Sequence, residues 1–292
     1  MNKVVRRGLN LLIMLTTLVM ICVGVTVIAS AEEGDTFTVN NIEGVPITYE
    51  ITSEGESFEV EVYSCFGNYS GVLTLPEIAE NPNDGSNYSV TSIGKWAFMN
   101  SSLAGIIIPD SVTNIDWNAF RGCQNLRSIE IPESVTDIGP WAFYDCYSLT
   151  DVDIPDSVES IGKYAFYNCK SLTEIEIPES VTKIEEDTFG CCTSLTDVEI
   201  PDSVTSIGKY AFGLCTSLTS IEIPDSVTSI GPWAFRDCKN LSRVYCYSLK
   251  APRLGSAVFD NCASGLVIYI PTGTEDAYVA AGWSNVKLVE QV

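Results

Sequence analysis

Histidine does not occur in this 292-residue chain. Its absence removes the commonest general base and the commonest metal ligand, so Ser-His-Asp, Cys-His and histidine-zinc chemistries are excluded. Basic residues are scarce too: 16 Lys and Arg stand against 38 Asp and Glu, a formal net charge of −22. A phosphate backbone needs a basic stripe, which excludes nucleic acid as a ligand. The chain has no Gly-x-Ser-x-Gly elbow and no calcium-loop motif. Carboxylate pairs are plentiful but none is singled out by its neighbours, so the chain is not read as an enzyme, with no catalytic residue, metal or cofactor expected. Hydrophobic residues make up 46%, enough for a core and too many for a disordered chain.

What is present begins with an export signal. Lys3, Arg6 and Arg7 precede an uncharged run, and Ala29-Ser30-Ala31 forms an A-x-A-like cleavage site before Glu32. The run is long for a signal peptide, so an uncleaved membrane anchor is the alternative, and the only route to a membrane. Either way the expected location is secreted or cell-surface.

The rest of the chain is periodic. Phe recurs at 98, 120, 143, 166, 189, 212, 235 and 259, spaced by 22, then 23 five times, then 24. Pro recurs from Pro109 to Pro224, Cys from Cys123 to Cys262 and Leu from Leu103 to Leu241 at the same interval. A fixed period of this length means a solenoid, each unit burying its apolar side against its neighbours. In "LTSIEIP", Leu218, Ile221 and Ile223 point inward and Glu222 outward, the alternation of a short strand ended by Pro224. Val204 and Ile207 mark a second extended segment, and "KYAFGLC" is expected to make a short helical turn with Phe212 and Cys215 on one face. Seven or eight coils stacked in parallel at about 4.8 Å give a body roughly 35–40 Å long.

The series L-x-x-I-x-I-P, the A-F-x-x-C turn and S-V-T-x-I-G resemble the leucine-rich repeats of BspA-like bacterial surface proteins, from about Val72 onward. The opening and closing segments also look like that family's end pieces. The expected organisation is a leader over 1–31, a β-rich N-terminal cap over 32–71, a leucine-rich-repeat solenoid over 72–262 and a C-terminal capping segment over 263–292. The resemblance implies adhesion and partner binding rather than catalysis.

Two surfaces are candidates for that role. The outward strand slots hold Glu130, Asp153, Glu176, Glu199 and Glu222, with Asp151, Glu174 and Asp197 two residues earlier and a further acid after each Pro. Stacked like charges repel, so this ladder suits a basic extracellular or surface protein, or calcium, or is a solvated face that keeps the protein soluble. Two residues before the Phe stand Trp96, Trp141, Tyr164, Tyr210 and Trp233. These could stack on a polysaccharide, or simply cover the flank of the next coil. A coat protein with no ligand is the third reading.

The Cys column is expected to be buried free thiols acting as small hydrophobes, since parallel Cβ vectors do not bring sulfurs together. The Ser column, Ser111 to Ser226, is expected to bond to the backbone of an adjacent coil. Sequons occur at Asn68, Asn87 and Asn100.

Overall fold

The computed structural model describes residues 32–53, 58–65 and 69–291. The leader or anchor over 1–31, with Cys22, and the Asn68 sequon lie outside the described residues. No helix among the described residues is long and apolar enough to cross a membrane.

The chain winds into a β-solenoid of about nine turns, more than the seven or eight coils that the repeat suggests. The difference comes from the N-terminal strands, which join the stack. Strand Thr36–Asn40 pairs antiparallel with Pro46–Ser53, and that strand with Glu59–Cys65. Glu59–Cys65 then runs parallel to Asn87–Ile93, which pairs in parallel with Asn114–Ile115. The sheet continues through Asp137–Ile138 to Ser160–Ile161. The end piece is thus hydrogen-bonded to the coils it covers.

Each coil contributes three columns. The first is the strand of the Leu-x-x-Ile-x-Ile run, such as Asp151–Asp153 beside Ser128–Glu130 and Glu174–Glu176 beside Asp197–Glu199. The second is the Val-x-x-Ile strand. Here each Ser hydroxyl donates to the valine carbonyl of the preceding coil: Ser134 to Val112 at 2.6 Å, Ser203 to Val181 at 2.7 Å. Gly139 and Gly208 pass so close to that coil that a Cβ would lie 2.6–2.7 Å from its backbone.

The third column is not the short helical turn expected. In each coil two residues flanking the Phe take left-handed backbone angles, for example Tyr210 at φ 53° and Leu214 at φ 63°. With a left-handed residue two positions to either side of the Phe, the N–H groups of Tyr210, Phe212 and Leu214 all point toward the next coil. They donate to Pro232, Ala234 and Arg236 at 2.8–3.1 Å. A helix would have consumed these bonds within the coil; this turn uses them to join coils.

Left-handed angles cost an ordinary side chain about 1–2 kcal/mol. The slot after Phe120 avoids that cost with Gly122 (φ 74°), while Leu214 meets it with its side chain 41% exposed. Leu214→Gly should therefore raise stability by about 0.5–1 kcal/mol, the strain relieved outweighing glycine's entropy. A melting curve showing a loss instead would mean that the leucine's packing matters more than its backbone strain.

Inside the coils the columns become ladders. The eight phenylalanines from Phe98 to Phe259 stack at 5.1–5.7 Å, with ring planes within 14° of each other. Each column thiol donates to the Phe carbonyl of the preceding coil, from Cys123 to Phe98 at 3.0 Å through Cys262 to Phe235 at 3.2 Å. The described cysteines are free thiols. Burial raises the Cys123 pKa to about 11 and that of Cys262 to about 12, so neither is a nucleophile at neutral pH.

Candidate functional site

The acidic residues expected to share a face do so. Glu130, Asp151, Asp153, Glu174, Glu176, Asp197, Glu199 and Glu222 are exposed, and each flanks a buried Ile or Val. Parallel register sets Glu174 directly beside Asp197 and Glu176 beside Glu199. It likewise sets Asp153 beside Glu130, and Glu222 beside Tyr245. Like charges in register repel, so the arrangement works against the fold that carries it. The face is hollowed: a depression of about 420 Å³ is lined by Asp151, Asp153, Glu174, Glu176, Asp197 and Glu199. A second of about 410 Å³ continues from Asp197 and Glu199 to Glu222 and Tyr247.

Its two ends are apolar. Toward the N-terminus the acid slot holds Ile107, 55% exposed, and two residues earlier exposed Val72 lies beside Gly105. Toward the C-terminus Tyr245 stacks on Tyr269 at 4.9 Å, and the Tyr247 hydroxyl donates to Glu222 at 2.9 Å. Among the described residues no three carboxylates or thiols come together as a metal-binding group.

The strand column is not one continuous ladder: it is interrupted between Asp151–Asp153 and Glu174–Glu176. Repulsion is not the common cause, because like interruptions separate Gly105–Ile107 from Ser128–Glu130, where few charges meet, and Asp197–Glu199 from Ser220–Ile223.

The aromatic stripe follows the turn column, with one member that the Phe spacing does not find. Trp117 lies three residues before its Phe, not two, and Asn118 holds the slot that the aromatic takes in other units. Its ring nevertheless fills the gap, 5.6 Å from Trp96 and 5.6 Å from Trp141. Trp141 stacks on Tyr164 at 5.2 Å with planes only 4° apart, and Tyr210 on Trp233 at 5.1 Å. Rings stacked in this way spend their faces on one another and show solvent their edges. Stacking on a sugar needs a free face, and each of these four rings has one face taken by its neighbour.

The stripe breaks at one coil, where Asp187 occupies the aromatic slot. It is 9% exposed and left-handed at φ 54°. Burial, with repulsion from Glu186 second, lifts its pKa to about 6, although Tyr164 and Lys209 act the other way. A carboxyl with a raised native pKa favours the fold below its unfolded value and loses that advantage as pH climbs through 6. This residue therefore weakens the protein at neutral pH. Beside it Glu186 holds Lys209 at 2.8 Å and Lys163 at 3.8 Å.

A family model described as BspA type leucine-rich repeat region matches in six copies over residues 91–215 and 182–281. Among solved structures, a leucine-rich repeat protein of T. pallidum is 26% identical, with a TM-score of 0.56. The match covers 81% of this chain and 93% of that one. A leucine-rich cell surface protein of Faecalibacterium prausnitzii is 20% identical over 88% of this chain and 99% of its own, at a TM-score of 0.32. The pneumococcal vaccine antigen PcpA is 15% identical over 90% and 100%, at 0.41. At those two TM-scores neither likeness says anything about this chain. Comparison with curated proteins gives no match.

Proposed function

The chain belongs to the BspA-type leucine-rich repeat family, and on that premise we propose that it is an exported or cell-surface adhesion protein that binds a basic protein on its acidic strand face. One observation carries the reading. Glu174 and Glu176 stand in register with Asp197 and Glu199 on a hollowed surface, where like charges repel one another. A ligand bearing Lys or Arg relieves that repulsion on docking, so binding and stability pull in the same direction. The apolar ends at Ile107 and at Tyr245 with Tyr269 supply the packed anchors that charge alone does not.

The test is binding of the full-length protein to poly-lysine and to an array of extracellular-matrix proteins, at about 0.1 M and 1 M salt. Between those conditions the Debye length falls from about 10 Å to 3 Å, and affinity should fall at least tenfold. The combined variant Asp153→Asn, Glu174→Gln, Glu176→Gln, Asp197→Asn should lose at least as much. Four exposed pairs at roughly 0.2–1 kcal/mol each sum to about 0.8–4 kcal/mol, and the middle of that range exceeds the roughly 1.4 kcal/mol of one decade. Its melting temperature should hold or rise, because the lost charges repelled one another. Binding indifferent to both salt and the variant would remove the acidic face from the reading.

A further inference from the structure

The geometry points to a docking site at the N-terminal end, independent of the acidic strand face: a gap between two unpaired strand edges that takes a short extended segment of a basic partner protein as an added strand. The sheet there has five neighbouring strands, in the order Thr36–Asn40, Pro46–Ser53, Glu59–Cys65, Asn87–Ile93 and Ile78–Glu80. This sheet curls. Strands three places apart in a flat sheet stand about 14 Å from each other, yet the Phe37 ring of the first strand lies 5.7 Å from the Tyr88 ring of the fourth. The two outer strands thereby meet at one depression of about 320 Å³. Val39 and Asn40 line it from one strand, Ile78, Ala79 and Glu80 from the other, and Tyr49 of the second strand lines it too.

No strand among the described residues pairs with either edge on that side. Beside the first strand, the Asn41 N–H donates to the Val45 carbonyl at 3.0 Å and the Ile51 N–H to the Asp35 carbonyl at 2.9 Å. Bonding alternates along an antiparallel pair, so the backbone groups of Thr36, Thr38 and Asn40 face the other way. Beside the last strand, the Val90 N–H donates to the Glu77 carbonyl at 2.9 Å and the Asn81 N–H to the Ser86 carbonyl at 2.8 Å. The same alternation turns the backbone groups of Ile78 and Glu80 outward. A neighbouring edge is treated differently. The Asn41 amide donates to the Thr74 carbonyl at 3.1 Å, and the Thr74 hydroxyl and N–H both donate to the Glu43 carboxylate, so strand Val72–Thr74 is capped by side chains. Folds guard exposed edges in such ways, and the two edges at the gap carry no such guard among the described residues.

The lining identifies the occupant. Val39, Ile42, Tyr49, Pro76, Ile78 and Ala79 make it largely apolar, and Ile42 and Ile78 are 86% and 57% exposed. Alternate side chains of an added strand bury against these residues while its backbone bonds to the edges. The charge is one-sided. From Glu32 to Gly94 the chain holds 12 acidic residues and no Lys or Arg, and Glu80 lines the gap itself. A segment with apolar residues set between Lys or Arg is therefore the partner that matches both the lining and the field around it.

The probe is fluorescently labelled acetyl-Lys-Val-Thr-Val-Lys-amide, titrated into the full-length protein and followed by polarisation. It should bind saturably. Its analogue N-methylated at both valines has the same charge but lacks those backbone donors, and should bind at least about tenfold more weakly. Hydrogen exchange at Thr38, Asn40, Ile78 and Glu80, fast in the free protein, should slow at least about tenfold in the complex. Ile78→Pro removes one outward N–H and no bond to Asn87–Ile93, and should weaken binding at least about fivefold, while Ile78→Val leaves it within about twofold. If Ile78→Pro does not fold, Asn40→Pro makes the same test from the other edge. The acidic-face variant should bind the peptide as the unaltered protein does. Equal binding of the methylated peptide, full binding by the proline variant, or loss in the acidic-face variant overturns the assignment. So does a failure to saturate, and so does slow exchange at those four amides in the free protein, which would mean that the chain covers the gap itself.

Discussion

Replacing Phe166 by alanine is expected to destabilise the protein by about 3–5 kcal/mol, the range for deleting a fully buried aromatic ring. The ring has no exposure and is stacked between Phe143 at 5.1 Å and Phe189 at 5.7 Å. Its loss leaves a void that neither neighbour can fill. Their backbones are fixed by bonds from Phe166 N–H to Thr188 and from Phe143 N–H to Ala165. The Cys192 thiol, donating to the Phe166 carbonyl at 3.2 Å, holds the same coil from the next one. Collapse into the cavity would have to break such bonds, so the upper part of the range is the expected result. Phe166→Leu keeps most of the volume and should cost about 1.5 kcal/mol or less. A Phe143/Phe166 double-mutant cycle should show a coupling of about 0.5–1.5 kcal/mol from ring-on-ring contact. Calorimetry is the suitable measurement, since a repeat array need not unfold in one step. A loss below about 1.5 kcal/mol for the alanine variant would mean that the coils relax around the hole, and that the ladder is a consequence of stacking rather than a cause.

Much of this fold is legible in the sequence because the repeat states each contact many times. One Phe at the same slot every 23 residues can only stack on its own copies, and Ser134 or Ser203 bonds where a small hydroxyl between two strands has a carbonyl within reach. The turn was not legible as it is. "KYAFGLC" has the spacing of a helical face, yet Tyr210 and Leu214 are left-handed. Nothing in their side chains announces it, and only Gly122 and asparagines such as Asn100 and Asn168 at the matching slots hint at φ above zero. The acidic face was legible as a placement, since period-2 alternation assigns Asp151 and Asp153 to the outside. What it binds is not written in the repeat, because a repeated slot records what every coil shares. The information about a particular ligand lies in the coils that differ. Trp117 was missed because it stands one position before the aromatic slot, which Asn118 holds in that unit, and the stripe is broken at Asp187 by a residue that is not aromatic. In a repeat protein the consensus describes the scaffold and the exceptions describe the sites.

The second large effect is expected at the C-terminal end, and it should spread differently. Trp283 is fully buried although only nine residues follow it. Its ring covers the last phenylalanine, Phe259, at 5.8 Å, and meets Tyr278 edge-on at 5.3 Å. Its indole N–H donates to the Pro252 carbonyl at 2.9 Å, and the Tyr278 hydroxyl donates to the Ser248 carbonyl at 2.8 Å. The chain reaches this position through the short helix Glu275–Tyr278 and a wider turn, Val279–Trp283, in which Gly282 sits at φ 101°. Only glycine takes that angle without strain. Trp283→Ala removes the ring, leaves the Pro252 carbonyl without its donor and opens Phe259 to water, for an expected loss of about 3–5 kcal/mol. Trp283→Phe keeps the cover but not the hydrogen bond and should lose about 1–2 kcal/mol. In a stack held by nearest-neighbour contacts, removing an end lets the last coil open while the middle stays closed. Hydrogen exchange should therefore speed up first at Phe235, Asp237 and Gly255, whose N–H groups bind the last coil or lie in it. At Phe143 and Phe166 it should stay slow. Phe166→Ala should give the reverse, with protection lost in the middle coils and the ends following. If Trp283→Ala instead lowers protection evenly along the chain, the coils are coupled over a longer range than contact between neighbours provides, and the solenoid unfolds as one body.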